Sequence, residues 1–179
     1  MRKIYLKHLE NEIPEISRAF RAIMLEATQY CLNVSGHKSG VILKISGEFN
    51  ETIQLFWDKA TISKEERITW RDTKEATRYA AKGIAILLIK ELTEYTHFER
   101  LYQGLGIDFF LSEDNENVAD RVLSRLEVSG LFKETKGNTL NIRINSKKNQ
   151  VKKSDFLGFS VYIVVVEFEK PSAKIIKNE

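Results

Sequence analysis

The stretch DTKEATRYAAKGIAILLIKELT, residues 72–93, is the part of the sequence that decides the fold. Asp72, followed three residues later by Glu75, forms a capping box, which is typical of the start of a helix. From Ala80 to Leu92, apolar residues cover nearly every face of such a helix. A helix that is apolar on all sides is buried. The stretch therefore predicts a helix in the interior of the protein.

Strand-like runs follow this helix along the chain. Three of them are short, at residues 95–101 (YTHFERL), 107–111 (IDFFL) and 122–128 (VLSRLEV). A fourth and longer run, residues 158–171, contains the apolar segment VYIVVVEF and predicts a strand that is buried inside a sheet. The residues after it are interpreted as a short polar tail.

Residues 138–153, which precede the last strand, are ambiguous. Leu140, Ile142 and Ile144 alternate as they would in a strand. Leu140, Ile144 and Val151 also fit one face of a helix, so the sequence leaves both interpretations open. In either case, a buried helix packs on several strands. We therefore predict an α/β fold with a mixed central sheet flanked by helices.

The N-terminal third predicts a helix and a hairpin. Residues 14–33 have apolar side chains at helical spacing, and Pro14 suits the first turn of a helix. Two strand-like runs, at residues 41–49 and 51–58, predict a β-hairpin. We expect residues 1–71 to pack on a core formed by residues 72–179.

Composition excludes several classes of protein. The chain has 179 residues, of which 42% are hydrophobic and 30% charged, which is ordinary for a globular protein. Its net charge of +3 does not by itself indicate a nucleic-acid-binding protein. The single cysteine, Cys31, excludes an internal disulfide and a cysteine-rich zinc site. No run of residues has the length of a membrane span, and the expected location is the cytoplasm.

Two of the predicted strands each carry one acidic residue among large apolar ones. Asp108 lies in IDFFL, and Glu127 lies between Leu126 and Val128. Burying a carboxylate is costly unless it is paired, neutralised or bound to a metal. Two neighbouring strands can present carboxylates to one point, and hard oxygen ligands suit Mg²⁺. Alternatively, Asp108 occupies an exposed strand end, and Glu127 faces solvent while its neighbours face the core.

The order of these features resembles the PD-(D/E)XK restriction-endonuclease-like superfamily. The matching residues are Glu75 on the helix, GLGID at 104–108, and EVS at 127–129. The resemblance covers about residues 72–168. It implies a restriction-endonuclease-like core in which Asp108 and Glu127 bind Mg²⁺ or Mn²⁺ and Glu75 extends the metal shell. In that superfamily, the metal activates water and stabilises the charge on a scissile phosphate. Glu75 has a simpler alternative role, as the second half of the capping box.

The sequence departs from the superfamily pattern at Ser129, where the motif has a lysine. A serine hydroxyl cannot supply the positive charge that the motif lysine provides. Some members recruit the lysine from a neighbouring element, and the candidates here are Lys147, Lys148 and Lys152. Loss of hydrolysis with retention of the fold is the alternative.

A basic stretch between residues 136 and 154 contains six cations and no acid. The residues that we assign to contacts with nucleic acid are Arg143, Lys148, Gln150, Lys152 and Lys153, and Lys147 is assigned to catalysis. Such a stretch is suited to phosphate contacts, although a charged run is often only a solvated face. No aromatic residue lies within it, so stacking on unpaired bases is not predicted here.

These observations lead to two hypotheses of function. The first is a metal-dependent nuclease that acts on nucleic-acid phosphodiesters, with DNA favoured over RNA. The chain has little room for a separate recognition domain, so this hypothesis includes a second copy or a partner subunit. The superfamily resemblance adds a bacterial defence or mobile-element context by analogy. The second hypothesis is an inactive nuclease-fold module that binds nucleic acid or protein.

Overall fold

A mixed eight-stranded sheet flanked by helices forms the protein. The computed structural model describes residues 1–11, 13, 15–101, 104–113 and 124–179. The strands in these residues are β1 (Arg2–Tyr5), β2 (Val41–Gly47), β3 (Glu51–Phe56), β4 (His97–Arg100), β5 (Phe109–Ser112), β6 (Ser124–Leu131), β7 (Val161–Glu167) and β8 (Ser172–Asn178). The helices are α1 (His8–Asn11), α2 (Arg18–Val34), α3 (Lys64–Thr69), α4 (Thr73–Leu92) and α5 (Leu140–Val151), and a 3₁₀ helix (Lys152–Leu157) follows α5. The predicted α/β class is confirmed.

The strand order is β1-β3-β2-β8-β7-β6-β5-β4. The pairs β1/β3, β2/β8 and β6/β7 are parallel, and the other neighbours are antiparallel. Two parallel strands need a crossover connection, and α5 with the 3₁₀ helix supplies it between β6 and β7. The predicted hairpin, β2 and β3, extends the sheet through β8. One sheet therefore joins the N-terminal residues to the rest of the chain.

The predicted buried helix is α4. Asp72 caps it by accepting hydrogen bonds from the backbone N–H groups of Lys74 and Glu75, at 2.9 and 3.4 Å. The helix packs on β6 at Gly130, where a Cβ atom would lie 2.5 Å from the carbonyl oxygen of Thr77. Only a residue without a side chain permits this approach. The other side of α4 contacts α2, whose Cys31 is buried, and burial raises the pKa of that thiol to about 12.

Helix α5 resolves the ambiguity of residues 138–153. Thr139 caps it by accepting a hydrogen bond from the backbone N–H of Ile142. Ile144 and Val151 are buried, whereas Ile142 is exposed, as the helical interpretation requires. Ile144 and Val151 form a second, smaller apolar core with residues of β7, on the face of the sheet opposite α4. The sheet is therefore covered by helices on both faces.

The interpretation of the C-terminal residues as a polar tail is wrong, because they form β8 between β7 and β2. Ala173 and Ile175 are buried and alternate with partly exposed residues, of which Ile176 packs against the second core. Two other boundaries also shift. Helix α2 begins at Arg18 with Ser17 as its cap, and Pro14 lies outside the described residues. Residues 122 and 123 of the predicted third strand also lie outside them, and β6 continues to Leu131.

Within the described parts of the chain, no helix combines the length and the apolar character that crossing a membrane requires.

Candidate functional site

A cavity of about 720 Å³ lies between α4 and α5 at one end of the sheet. Its lining comes from α4, α5, β6 and the segment that precedes β5. Both acids singled out in the sequence, Asp108 and Glu127, line it. The fold thus brings two strand ends and two helices to one point.

Asp108 and Glu127 lie beside each other where the ladder of β5 and β6 ends. The last ladder pair is Phe109 with Leu126. One residue further, the backbone N–H of Asp108 donates to the carbonyl of Leu126 at 2.8 Å. The Oδ2 atom of Asp108 accepts a hydrogen bond from the backbone N–H of Val128 at 3.0 Å. The Asp108 side chain is therefore fixed to the strand that carries Glu127.

Glu127 is buried, with 3% of its surface exposed. The alternative in which it faces solvent is wrong. Leu126 and Val128 do join the main core with α4, as alternation predicts. The opposite face of β6 is covered by α5 instead of by water, because Lys147 and Gln150 of α5 contact Glu127.

Each carboxylate has a lysine partner from a different helix. Lys82 Nζ of α4 lies 2.6 Å from Asp108 Oδ1, and Lys147 Nζ of α5 lies 2.6 Å from Glu127 Oε1. Gln150 Nε2 donates to the same oxygen of Glu127 at 2.9 Å, and Gln150 Oε1 accepts from Lys147 at 2.8 Å. We call Lys82, Asp108, Glu127, Lys147 and Gln150 the carboxylate cluster.

The electrostatics of the cluster disfavour a charged Glu127. Burial and, secondarily, the negative charge of Asp108 raise the pKa of Glu127 to about 7. The positive charges of Lys147 and Lys82 act in the opposite direction and do not fully compensate. A strongly perturbed acid in a cavity is typical of a functional site.

Cations surround the cluster. On α4, Lys74, Arg78 and Lys82 follow one another at intervals of four residues, which places them on one side of the helix. The described lining also contains five further cations: Arg100, Lys133, Arg143, Lys147 and Lys153. Its only acids, among those described residues, are Asp108 and Glu127. Such a cavity concentrates anions and suits a ligand with several phosphates.

The predicted site residues separate into two groups. The structure brings Glu127, Lys147 and Gln150 into contact, and Asp108, Arg143 and Lys153 line the same cavity. Three predicted residues are exposed and do not belong to the described lining: Glu75, Lys148 and Lys152. Glu75 lies in the first turn of α4, and the structure does not bring it to the two carboxylates.

The sequence interpretation missed Lys82 and the cations Lys74, Arg78, Arg100 and Lys133. A signal for Lys82 was present, because it is the only charged residue in the run AAKGIAILLI at residues 80–89. A lysine in a buried helix needs an acidic partner, so its presence pointed to a buried acid elsewhere in the chain. The sequence carries no comparable signal for Arg100 and Lys133.

The residues present fit a weak site for Mg²⁺ or Mn²⁺. Within the described parts of the chain, no three His, Cys, Asp or Glu side chains converge as a metal group. Mg²⁺ commonly binds through one or two carboxylates and completes its shell with water and substrate phosphates. Asp108 and Glu127 supply such a pair, and a cation beside them would relieve the repulsion that raises the pKa of Glu127.

Gly106 sets the approach of α5 to the site. Its φ is +74°, and a Cβ atom there would lie 2.5 Å from the carbonyl oxygen of Gln150. The side chain of Gln150 also donates to the carbonyl oxygen of Gly106 at 3.2 Å. The G-x-G turn therefore holds Gln150, and with it the contact to Glu127.

We expect Gly106→Ala to destabilise the protein by about 1–3 kcal/mol, because the new methyl group strains the backbone and displaces α5. Urea unfolding measures the effect. Gly137→Ala is the matched control, since a Cβ atom at Gly137 meets no atom within 4 Å and its φ is not positive. Equal stability of the two variants would contradict the assigned role of Gly106.

Comparison with protein-family models, with curated proteins and with solved structures finds no match for this chain.

Proposed function

We propose that this protein is a metal-dependent nuclease of the PD-(D/E)XK restriction-endonuclease-like type. The observation that carries the proposal is the pair of adjacent carboxylates, Asp108 and Glu127, in a cavity whose described residues include eight cations. The order of elements from α4 through β4, β5, β6 and α5 to β7 agrees with the order on which the superfamily resemblance rests. A basic cavity with an acidic centre suits both binding and hydrolysis of a phosphodiester.

Asp108 and Glu127 are the residues that would hold the metal. A bound Mg²⁺ or Mn²⁺ supplies charge compensation for the phosphate and lowers the pKa of a water molecule. Asp108 is held in place by the Val128 N–H, and Glu127 is held by Lys147 and Gln150. Both carboxylates are therefore positioned before substrate binds, which avoids a reorganisation cost during the reaction.

Two lysines of the site supply the positive charge that Ser129 does not. Lys147 approaches Glu127 from α5, and Lys82 approaches Asp108 from α4. With Asp108 and Glu127 holding a metal, Lys82 and Lys147 would be the residues that supply an ammonium group to a phosphate oxygen. A fixed cation beside the developing negative charge stabilises a transition state more than the ground state.

The substrate is bound mainly through its phosphates. Arg143, Lys147 and Lys153 on one side and Lys74, Arg78 and Arg100 on the other supply cations to the cavity wall. Phosphate contacts position a nucleic acid without reading its sequence. Four expectations from the sequence are parts of the proposal. The substrate is DNA rather than RNA, and a second copy or a partner subunit helps to recognise it. The protein acts in the cytoplasm, in a bacterial defence or mobile-element system.

Cleavage assays test the proposal directly. Purified protein is incubated with labelled single-stranded and double-stranded DNA and RNA in Mg²⁺, in Mn²⁺ and in EDTA, and metal binding is measured by calorimetry. We expect the protein to cleave at least one of these substrates, and we expect this cleavage to require the metal. Absence of both cleavage and metal binding, with nucleic acid present, would overturn it.

The second candidate function is an inactive module that keeps the fold and binds nucleic acid. Two observations favour it: each carboxylate is already paired with a lysine, and Ser129 stands at the motif lysine position. In that case the wild type binds DNA or RNA without cleaving it, and Asp108→Ala binds as tightly as the wild type.

A further inference from the structure

Phe156 is an exposed aromatic residue three positions after Lys153, which lines the cavity, and the proposed function does not use it. It lies in the 3₁₀ helix that follows α5, and 75% of its surface is exposed. A 3₁₀ helix has three residues per turn, so side chains three apart lie on the same side. Phe156 therefore lies on the side of Lys153, which lines the cavity. The aromatic ring thus extends the basic wall outward.

The backbone that presents Phe156 is anchored to β6. Arg125, a buried residue of β6, donates through Nη1 to Ser154 Oγ at 2.9 Å and to Asp155 Oδ1 at 3.2 Å. Ser154 is fully buried, and its hydroxyl donates to the carbonyl of Val151 at 3.0 Å. The strand that carries Glu127 thus also anchors the backbone at Phe156, so little backbone ordering entropy is lost when the ring makes a contact.

An exposed ring among cations is suited to a single nucleic-acid strand. Proteins that bind single strands combine a basic groove for the backbone with aromatic side chains on which bases stack. Phe156 and the neighbouring Lys152 and Lys153 have this combination, and the cavity beside them carries further cations. In a duplex, both faces of an internal base are already stacked, so the ring can contact only an unpaired or terminal base.

We propose that Phe156 stacks on an unpaired base of a strand whose phosphates enter the cavity at Lys153. This inference rests on the proposed function for its ligand class, nucleic acid, and adds that the substrate is single-stranded or has a single-stranded end.

Fluorescence anisotropy in EDTA tests the inference without any cleavage. The probes are a short labelled single-stranded oligonucleotide and a long labelled blunt duplex, in which nearly all bases are internal. We expect Phe156→Ala to bind the single strand about 10-fold more weakly, and Phe156→Trp to keep the wild-type affinity. Binding of the blunt duplex changes little in either variant. In Phe156→Trp, the indole fluorescence is expected to be quenched by the single strand.

Ile68→Ala is the matched control, because Ile68 is 57% exposed in α3 and does not belong to the described cavity lining. Equal weakening of single-strand and duplex binding by Phe156→Ala would overturn the inference, and so would no weakening. A wild-type dimer in sedimentation that Phe156→Ala converts to a monomer would assign the ring to self-association instead. If Phe156→Ala weakens binding of the single strand but not of the duplex, and the protein shows no metal-dependent cleavage, the inference is sustained and only the nuclease activity is refuted.

Discussion

Asp108→Asn is expected to abolish metal-dependent cleavage, and circular dichroism checks the fold, because the variant leaves the buried Lys82 without its acidic partner. The amide keeps an oxygen that can accept the hydrogen bond from the Val128 N–H, now 3.0 Å from Asp108 Oδ2. It removes the charge that holds a divalent cation and that pairs with Lys82. We expect cleavage to fall about 100-fold or more, since the metal contributes several kcal/mol to stabilising the transition state.

Glu66→Gln is the matched control for this experiment. Glu66 is also a buried acid paired with a lysine, at 2.7 Å from Lys59 Nζ, but it lies in α3 and does not belong to the described cavity lining. Its replacement should leave cleavage unchanged. Calorimetric titration with Mn²⁺ gives a second readout, in which Asp108→Asn should lose binding and Glu66→Gln should keep it. Cleavage by Asp108→Asn within a few-fold of the wild type would refute the assigned metal role.

The second large effect concerns the pH dependence of stability in the metal-free protein. The pKa of Glu127 is raised from 4.5 to about 7, mainly by burial and next by the charge of Asp108. The folded state therefore holds a proton that the unfolded state releases above pH 4.5. This contribution to stability is fully present below about pH 4.5 and is lost as the pH rises through about 7. One pKa unit corresponds to about 1.4 kcal/mol, so the loss amounts to about 3 kcal/mol.

Chemical denaturation of wild type and Glu127→Gln across this pH range measures the effect. The variant has no proton to lose at this position, so we expect its stability relative to the wild type to rise with pH by about 3 kcal/mol. Mg²⁺ should reduce the difference, because it stabilises the ionised carboxylate. A difference between the two proteins that does not change with pH would show that Glu127 titrates normally.

Glu66→Gln again serves as the control, now with the opposite sign. Burial raises the pKa of Glu66, but hydrogen bonds from Lys59 and from the backbone of Ser63 lower the pKa by more than burial raises it. The net shift is therefore downward. Glu66 therefore contributes stability that is present above its ordinary pKa and is lost as the pH falls through the folded value. Between about pH 4.5 and 7 the difference between Glu66→Gln and the wild type should therefore stay nearly constant, and below pH 4.5 the stability of Glu66→Gln relative to the wild type should rise as the pH falls.

The sequence by itself determined the class of the fold and, around the site, the helix α4 and the strand segments that carry Asp108 and Glu127. The buried helix α4 follows from apolar residues on all of its faces, and the apolar run of β7 follows in the same way. Local signals of this kind need no partner, because capping and side-chain periodicity act within a few residues. They also placed Asp108 and Glu127 in neighbouring strand segments.

Only the tertiary structure decided what surrounds those two carboxylates. Alternation along β6 shows that Glu127 and Leu126 lie on opposite faces, but not whether the second face meets water or another helix. The covering helix, α5, comes from residues 140–151, whose pattern alone fits a strand as well as a helix. The strand β8 escaped prediction because it has few apolar residues, with Ala173 and Ile175 in the main core and Ile176 against the second, and because it pairs on both edges. Lys82 and Asp108 meet only when α4 packs on the sheet, and such long-range contacts depend on the packing of the whole chain, which no local pattern records.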